Sequence, residues 1–176
     1  MPESLARPQF GRTESAVVVM SYEEYVTLRW PALYRTAYLM TGSHADAEDL
    51  VQSALVKVYG AWAKVSRADS VDAYVRRVLV NTFVSGRRPV RFARERIVAA
   101  VPDRPTTSQG PEDRLSIWPH VAALPPKQRA VIVLRYYEDL TEQQIADALG
   151  CSPGTVKSNA SLALKSLRAR MEGAHS

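Results

Sequence analysis

Three groups of side chains in this sequence are placed to do chemistry, and all of it is non-covalent. The first lies in residues 141–171, TEQQIADALGCSPGTVKSNASLALKSLRARM. At about 100° per residue, Val156, Ala160, Ala163, Leu164, Leu167 and Met171 form one apolar stripe. Thr155, Ser158, Asn159, Ser161, Lys165 and Ser166 lie elsewhere on the same helix. Short side chains allow close approach to a DNA groove, and Lys and Asn can contact phosphates and base edges. Leu162 breaks the pattern, because it points into the middle of that polar face. The second group runs from Lys64 to Arg96, where basic residues far outnumber Asp69, Asp72 and Glu95. Trp62, Tyr74, Phe83 and Phe92 are interleaved with the charge. Aromatic planes can stack on unpaired bases, contributing roughly 1–3 kcal/mol per base. The third group is an acidic turn, Asp46, Glu48 and Asp49. It either complements a helix dipole or meets a basic partner.

Covalent chemistry has no comparable support. His44, His120 and His175 are scattered without metal-ligand spacing. No Gly-rich phosphate loop or nucleophile motif is present, so no cofactor, metal or catalytic residue is expected and the chain is read as a non-enzyme. Cys151 is alone, which suits a reducing cytoplasm. The apolar run at residues 16–20 is too short for a signal peptide or a membrane span. A formal charge of +5 is compatible with an anionic partner.

The elements that must position these groups are helices. Thr141 can cap a helix with Gln144 reaching back, and Gly150 can end it in the left-handed region. Ser152 then caps a second helix with Pro153 at its first position. Two helices around a Gly-containing turn form the helix-turn-helix pattern; the bland alternative is an ordinary helical hairpin. Upstream, Ser21 caps a helix whose apolar face holds Tyr25, Leu28, Ala32, Leu33, Ala37 and Met40, and Pro31 should kink or split it. Ser43 caps the next, with the stripe Ala47, Leu50, Val51, Ala54, Leu55, Val58 and Trp62. After a polar loop at 64–70, a third helix spans about 70–85. Its core stripe is Val71, Tyr74, Val75, Val78, Leu79 and Thr82. Val80, Phe83 and Val84 extend its apolar surface, so that side is either deeply packed or covered by a partner. A helix is also expected near Trp118, interrupted or bent at Pro119, and another opens at Pro125 and Pro126.

No strand alternation stands out. The expected architecture is all-α: two small helical domains at 22–90 and 113–172, joined by a flexible linker at 91–112, after a disordered tail at 1–21. The C-terminal domain carries the helix-turn-helix.

Both halves resemble one family. Residues 43–62, SHADAEDLVQSALVKVYGAW, look like the DAEDLVQ segment of bacterial sigma factors of the sigma-70 class. Residues 73–88, AYVRRVLVNTFVSGRR, look like the helix that follows it there. Residues 124–170 resemble the family's C-terminal DNA-reading domain. The two-domain layout is similar to the extracytoplasmic-function (ECF) group.

The resemblance implies a promoter-specificity subunit that binds core RNA polymerase, recognises the −10 and −35 promoter elements and promotes melting. Asp49 and Gln52 match positions that grip the β′ coiled coil. Lys64, Arg67, Arg76, Arg77 and Asn81 match the region that reads and opens the −10 element, and Arg87 and Arg88 would bind phosphate upstream. Thr155, Lys157, Ser158, Asn159, Leu162 and Lys165 would face the −35 element, with Arg135 on backbone phosphate. Leu162 departs from the polar residue common in the family, which implies an altered or weaker −35 preference. The implied partners are the β′ and β subunits of core polymerase, promoter DNA and, as a further candidate, an anti-sigma protein, with no membrane insertion. The implied location is the cytoplasm, on the nucleoid when in holoenzyme. The alternative is a free-standing helix-turn-helix repressor or activator, which would need a ligand pocket or a symmetric dimer face.

Overall fold

The structure, a computed structural model, describes residues 19–86 and 117–173. The tail at 1–18, Arg87, Arg88, Phe92 and the whole of the expected linker at 91–112 lie outside the described residues.

Local signals set the helix ends in the N-terminal half. Helix α1, Tyr22–Thr41, begins with a reciprocal capping box. The Ser21 hydroxyl accepts from the Glu24 N–H at 3.1 Å, and the Glu24 carboxylate accepts from the Ser21 N–H at 2.8 Å. Gly42, at φ 73°, ends it in the left-handed conformation that only glycine adopts without strain. Of the two outcomes expected at Pro31, a kink or a split, the helix is not split. Proline removes one backbone donor, and here the flanking Val26, Trp30, Leu33 and Tyr34 stay packed against the core. Leu28, expected on the apolar face, is 64% exposed. Helix α2, His44–Gly60, is capped by Ser43 and buries Ala47, Leu50, Val51, Ala54, Leu55 and Val58. Trp62 does not continue that stripe. It opens a one-turn helix, α3, Trp62–Val65, so the expected loop at 64–70 starts inside helical structure.

Helix α4, Val71–Val84, is capped by Ser70. Its Val75 and Leu79 complete the N-terminal core between α1 and α2. A polar clasp joins α1 to α4: Arg29 donates to both oxygens of Asp72, at 2.9 and 2.6 Å, and the Tyr25 hydroxyl donates to Asp72 Oδ1 at 2.9 Å. Burial, reinforced by Asp72, pushes the Tyr25 phenol well above the ordinary tyrosine range, so it stays protonated and donates.

The C-terminal half starts with α5, Trp118–Ala122, and α6, Pro126–Ile132. Pro119 falls in the first turn of α5, where its missing N–H costs nothing, so it does not interrupt a helix as expected. A π-helical segment, Val133–Tyr137, prolongs α6. Its wide turn is closed by the Glu138 N–H on the Val133 carbonyl at 3.1 Å. The extra residue per turn keeps Val133 and Leu134 buried while Tyr136 and Tyr137 point outward. Helix α7, Glu142–Leu149, has the capping box read from the sequence, Thr141 with Gln144, and Gly150 ends it at φ 65°. Ser152 then accepts from the Thr155 N–H at 3.1 Å and starts α8, Pro153–Gly173. Val156, Ala160, Ala163 and Leu167 are its buried stripe.

Both helical halves of the expected all-α fold are therefore present, and they touch. One core cluster crosses between them, joining Met40 and Val80 to Ala130, Val131, Leu134, Ile145 and Ala146.

Leu79 tests the N-terminal core. It is 1% exposed, and Leu79→Ala leaves a cavity expected to cost about 2–5 kcal/mol. Urea unfolding followed by circular dichroism should show that loss. A change under ~1 kcal/mol would mean the core is not organised around this residue.

Candidate protein and nucleic-acid interfaces

Helix α2 presents one face to the core and another to solvent. Asp49 and Gln52 are exposed. Val56, 71% exposed, and Tyr59, 64% exposed, continue the same face at i+7 and i+10 from Asp49. The sequence expectation for this face covers only Asp49 and Gln52. The missed signal was available, because Val56 and Tyr59 are apolar positions that the core stripe leaves out. An exposed mixture of acid, amide and large apolar groups is a surface suited to protein contact.

The basic residues of the N-terminal half separate into two environments. Lys64 and Arg67 are exposed at the turn before α4, and Arg77 and Asn81 lie one turn apart on its exposed side. Arg76 is rotated about 100° from Arg77 and points elsewhere. Its guanidinium is 3.8 Å from the Glu138 carboxylate in the C-terminal half. Two of the interleaved aromatics are occupied too. Trp62 packs edge-on against Tyr22 at 5.5 Å and tilted on Tyr25 at 5.4 Å. Phe83 lies under the Arg129 guanidinium at 5.7 Å. In this form, then, neither Trp62 nor Phe83 offers the open stacking plane proposed for it from the sequence.

In the C-terminal half, the second helix of the hairpin carries two adjacent polar strips. Lys157, Lys165 and Arg168 line an open groove with Arg135 and Tyr136 of the π-helical segment. Arg168 was missed by the sequence reading, although it follows Lys165 at i+3. Arg135 lies 5.9 Å from the Tyr136 ring centroid. Thr155, Ser158, Asn159 and Leu162 follow the neighbouring strip at i, i+3, i+4 and i+7. Their polar groups have local partners. The Thr155 and Ser152 hydroxyls are 2.9 Å apart, Ser158 donates to the Gly154 carbonyl at 3.0 Å, and the Asn159 amide donates to the Thr155 carbonyl at 2.9 Å. These short bonds hold the side chains close to the helix and leave its face shallow. Leu162 is 54% exposed on that face, as the periodicity required.

Glu142, at the start of α7, holds two of the cations. Its carboxylate is 3.5 Å from Arg135 and 3.6 Å from Lys157. A phosphate approaching the groove must compete with this carboxylate. Among the described residues no cluster of His, Cys, Asp or Glu could hold a metal ion, and no helix is long and apolar enough to cross a membrane.

Comparison with known proteins places both halves together. Residues 26–91 match the family described as Sigma-70 region 2, and residues 121–167 match Sigma-70, region 4. The chain is 39% identical over 157 residues to the RNA polymerase sigma-E factor of Streptomyces avermitilis, covering 88% of this chain and 87% of that one. It is 32% identical over 172 residues to the ECF RNA polymerase sigma factor SigL of Mycobacterium tuberculosis, covering 90% and 91%. Among solved structures it is similar to the sigma factor RpoE of Bartonella quintana, crystallised in complex with the anti-sigma factor NepR. That match has a TM-score of 0.66 and 26% identity, over 86% of this chain and 96% of that one.

Glu142→Gln removes the carboxylate that competes for Arg135 and Lys157. Affinity for duplex DNA should rise about two- to fivefold at low salt, the scale of one or two exposed ion pairs. The salt dependence should also steepen, by up to about 1.8 in slope if both cations gain a phosphate. Unchanged affinity and slope in a fluorescence-anisotropy titration would show that this groove does not meet DNA.

Proposed function

This chain belongs to the sigma-70 family, within its ECF group, and from that premise we propose how its residues act in a promoter-specificity subunit of RNA polymerase. The observation that carries the reading is the order of the two matches on one chain: a region 2 half with an exposed acidic and apolar face, then a region 4 half ending in an exposed polar helix. A free-standing repressor would use the second half and leave the first without a purpose.

The α2 face of Asp49, Gln52, Val56 and Tyr59 docks on core polymerase. Apolar side chains supply contact area there, and the carboxylate and amide supply direction. Lys64, Arg67, Arg77 and Asn81 hold the −10 strand through its phosphates while a base leaves the stack, with Arg76 joining them once its contact with Glu138 is given up. Arg87 and Arg88 bind phosphate upstream. Helix α8 enters the major groove of the −35 element. Thr155, Ser158, Asn159 and Leu162 meet base edges, and Lys157, Lys165 and Arg135 take phosphate. Leu162 can touch a thymine methyl but offers no hydrogen bond, which biases the −35 sequence towards A·T at its position. The chain itself carries out no covalent step; the polymerase does. Its place of action is the cytoplasm, with an anti-sigma protein as a candidate partner, since RpoE of Bartonella quintana binds one.

Two substitutions separate the roles. Asp49→Lys with Gln52→Ala should weaken binding to core polymerase at least tenfold, about 1.4 kcal/mol, while circular dichroism stays unchanged. Arg77→Ala should leave that binding intact and reduce permanganate reactivity of the melted promoter. Equal polymerase affinity in the first variant, or an unaltered footprint in the second, would remove the corresponding assignment.

A further inference from the structure

Among the described residues, helix α8 has one strongly exposed large apolar side chain, Leu162, and it stands in the middle of a polar face. The buried stripe of Val156, Ala160, Ala163 and Leu167 lies on the other side of the helix. At about 100° per residue, Leu162 points about 100° or more away from every member of that stripe, so core packing does not account for it. A lone exposed leucine is ordinary on a protein surface; the neighbours of this one set it apart.

Leu162 shares its strip with Thr155, Ser158 and Asn159, at i, i+3, i+4 and i+7. Recognition helices of homeodomains use the same spacing for the side chains that read bases, which makes Leu162 the last reading position here. The other three are tied down locally. Ser158 donates to the Gly154 carbonyl, Asn159 donates to the Thr155 carbonyl, and the Thr155 hydroxyl pairs with that of Ser152. Side chains on a helix lean towards its N-terminus, so Leu162 lies over the turn of Ser158 and Asn159. Ser161 beside it and Ser166 one turn on are both shorter than leucine. What projects furthest from this part of α8 is therefore an isobutyl group.

In the major groove an apolar group finds one apolar target on the base edges, the methyl on C5 of thymine. The oxygens and nitrogens around that methyl need hydrogen bonds, which leucine does not make. The isobutyl group therefore does not tell O4 from N4; it tells whether C5 bears a methyl. 5-Methylcytosine carries the same methyl at the same place on the groove edge. Uracil pairs as thymine does and lacks it.

We propose that Leu162 reads the C5-methyl group itself, separating methylated from unmethylated pyrimidines in the −35 element whichever pyrimidine bears the methyl. Methylation of a cytosine at that position strengthens promoter recognition, and loss of the thymine methyl weakens it by a similar factor. This deepens the reading of α8 as the −35 helix and rests on it for the DNA element concerned. Contact with the methyl rests on the exposed face of α8 alone.

The test starts from a −35 element selected out of random duplexes by core polymerase loaded with the full chain. At each pyrimidine of that element, on either strand, four duplexes are compared, bearing thymine, uracil, cytosine or 5-methylcytosine. Thymine with uracil, and 5-methylcytosine with cytosine, are matched pairs: each differs by one methyl and keeps its hydrogen bonds. At one position both methyls should tighten binding about three- to fivefold, the scale of one buried methyl group. Leu162→Ala should erase both differences there, with circular dichroism and affinity for core polymerase unchanged. Leu162→Met, still apolar and of similar reach, should keep them. Equal binding within either pair at every position, or differences that survive Leu162→Ala, would overturn the methyl contact. Selection by the chain alone is read separately. A methyl-dependent element enriched by the free chain but not with polymerase would remove the sigma reading and keep the methyl contact. An element enriched only with polymerase and indifferent to the methyl would do the reverse.

Discussion

Helix α4 has to bury two faces, and the rest of the structure follows from that constraint. A helix with a single apolar stripe needs a single partner surface. Here Val75 and Leu79 face the N-terminal core, Val80 and Val84 face away from it, and Phe83 touches both sides. Burying the first pair assembles α1, α2 and α4 and leaves Arg77 and Asn81 outward. Burying the second group brings the C-terminal half against α4 and draws Arg76 into a protein contact. The same helix thus carries the core, the proposed −10 cations and the surface on which the two halves close.

A second feature is shared by both proposed DNA surfaces: a carboxylate already faces some of their cations. Glu138 faces Arg76, and Glu142 faces Arg135 and Lys157. DNA binding is then an exchange of carboxylate for phosphate. The Glu142 pairs are partly exposed and contribute little to stability, so the fold gives up little when a phosphate takes over there. Such pairs weaken binding to arbitrary DNA while leaving each cation in place, which suits a subunit that should act only when polymerase presents the promoter.

Much of this was legible in the sequence because the signals are local. Ser21, Ser43, Thr141 and Ser152 each cap the helix expected of them, and Gly150 ends its helix in the left-handed region as Gly42 ends α1. The stripe of α2 from Ala47 to Val58 and the stripe of α8 are buried as spaced. Other features depend on tertiary context that periodicity does not carry. Pro31 stays within one helix because packing on both sides outweighs one missing bond. Leu28 is exposed although its spacing fits a core face. The π-helical turn at Val133–Tyr137 shifts the register without any Gly or Pro to announce it. Glu138 and Arg129 carry the contact between the halves, across 102 and 89 residues of sequence. Of the proposed site, the polar face of α8 and the acidic turn of α2 could be read directly. Val56 and Tyr59 are visible in the sequence as apolar positions left out of the core stripe, and Arg168 as the residue at i+3 from Lys165, but the faces they share are seen only in the structure.

The central claim is that this chain gives RNA polymerase its choice of promoter. Run-off transcription of genomic fragments by purified core polymerase, with and without the chain, tests it most directly. Defined start sites that appear only with the chain, preceded by shared −10 and −35 sequences, are the predicted result. Transcripts that do not depend on the chain, together with its binding to a palindrome as a dimer, would contradict the account and favour a free-standing regulator.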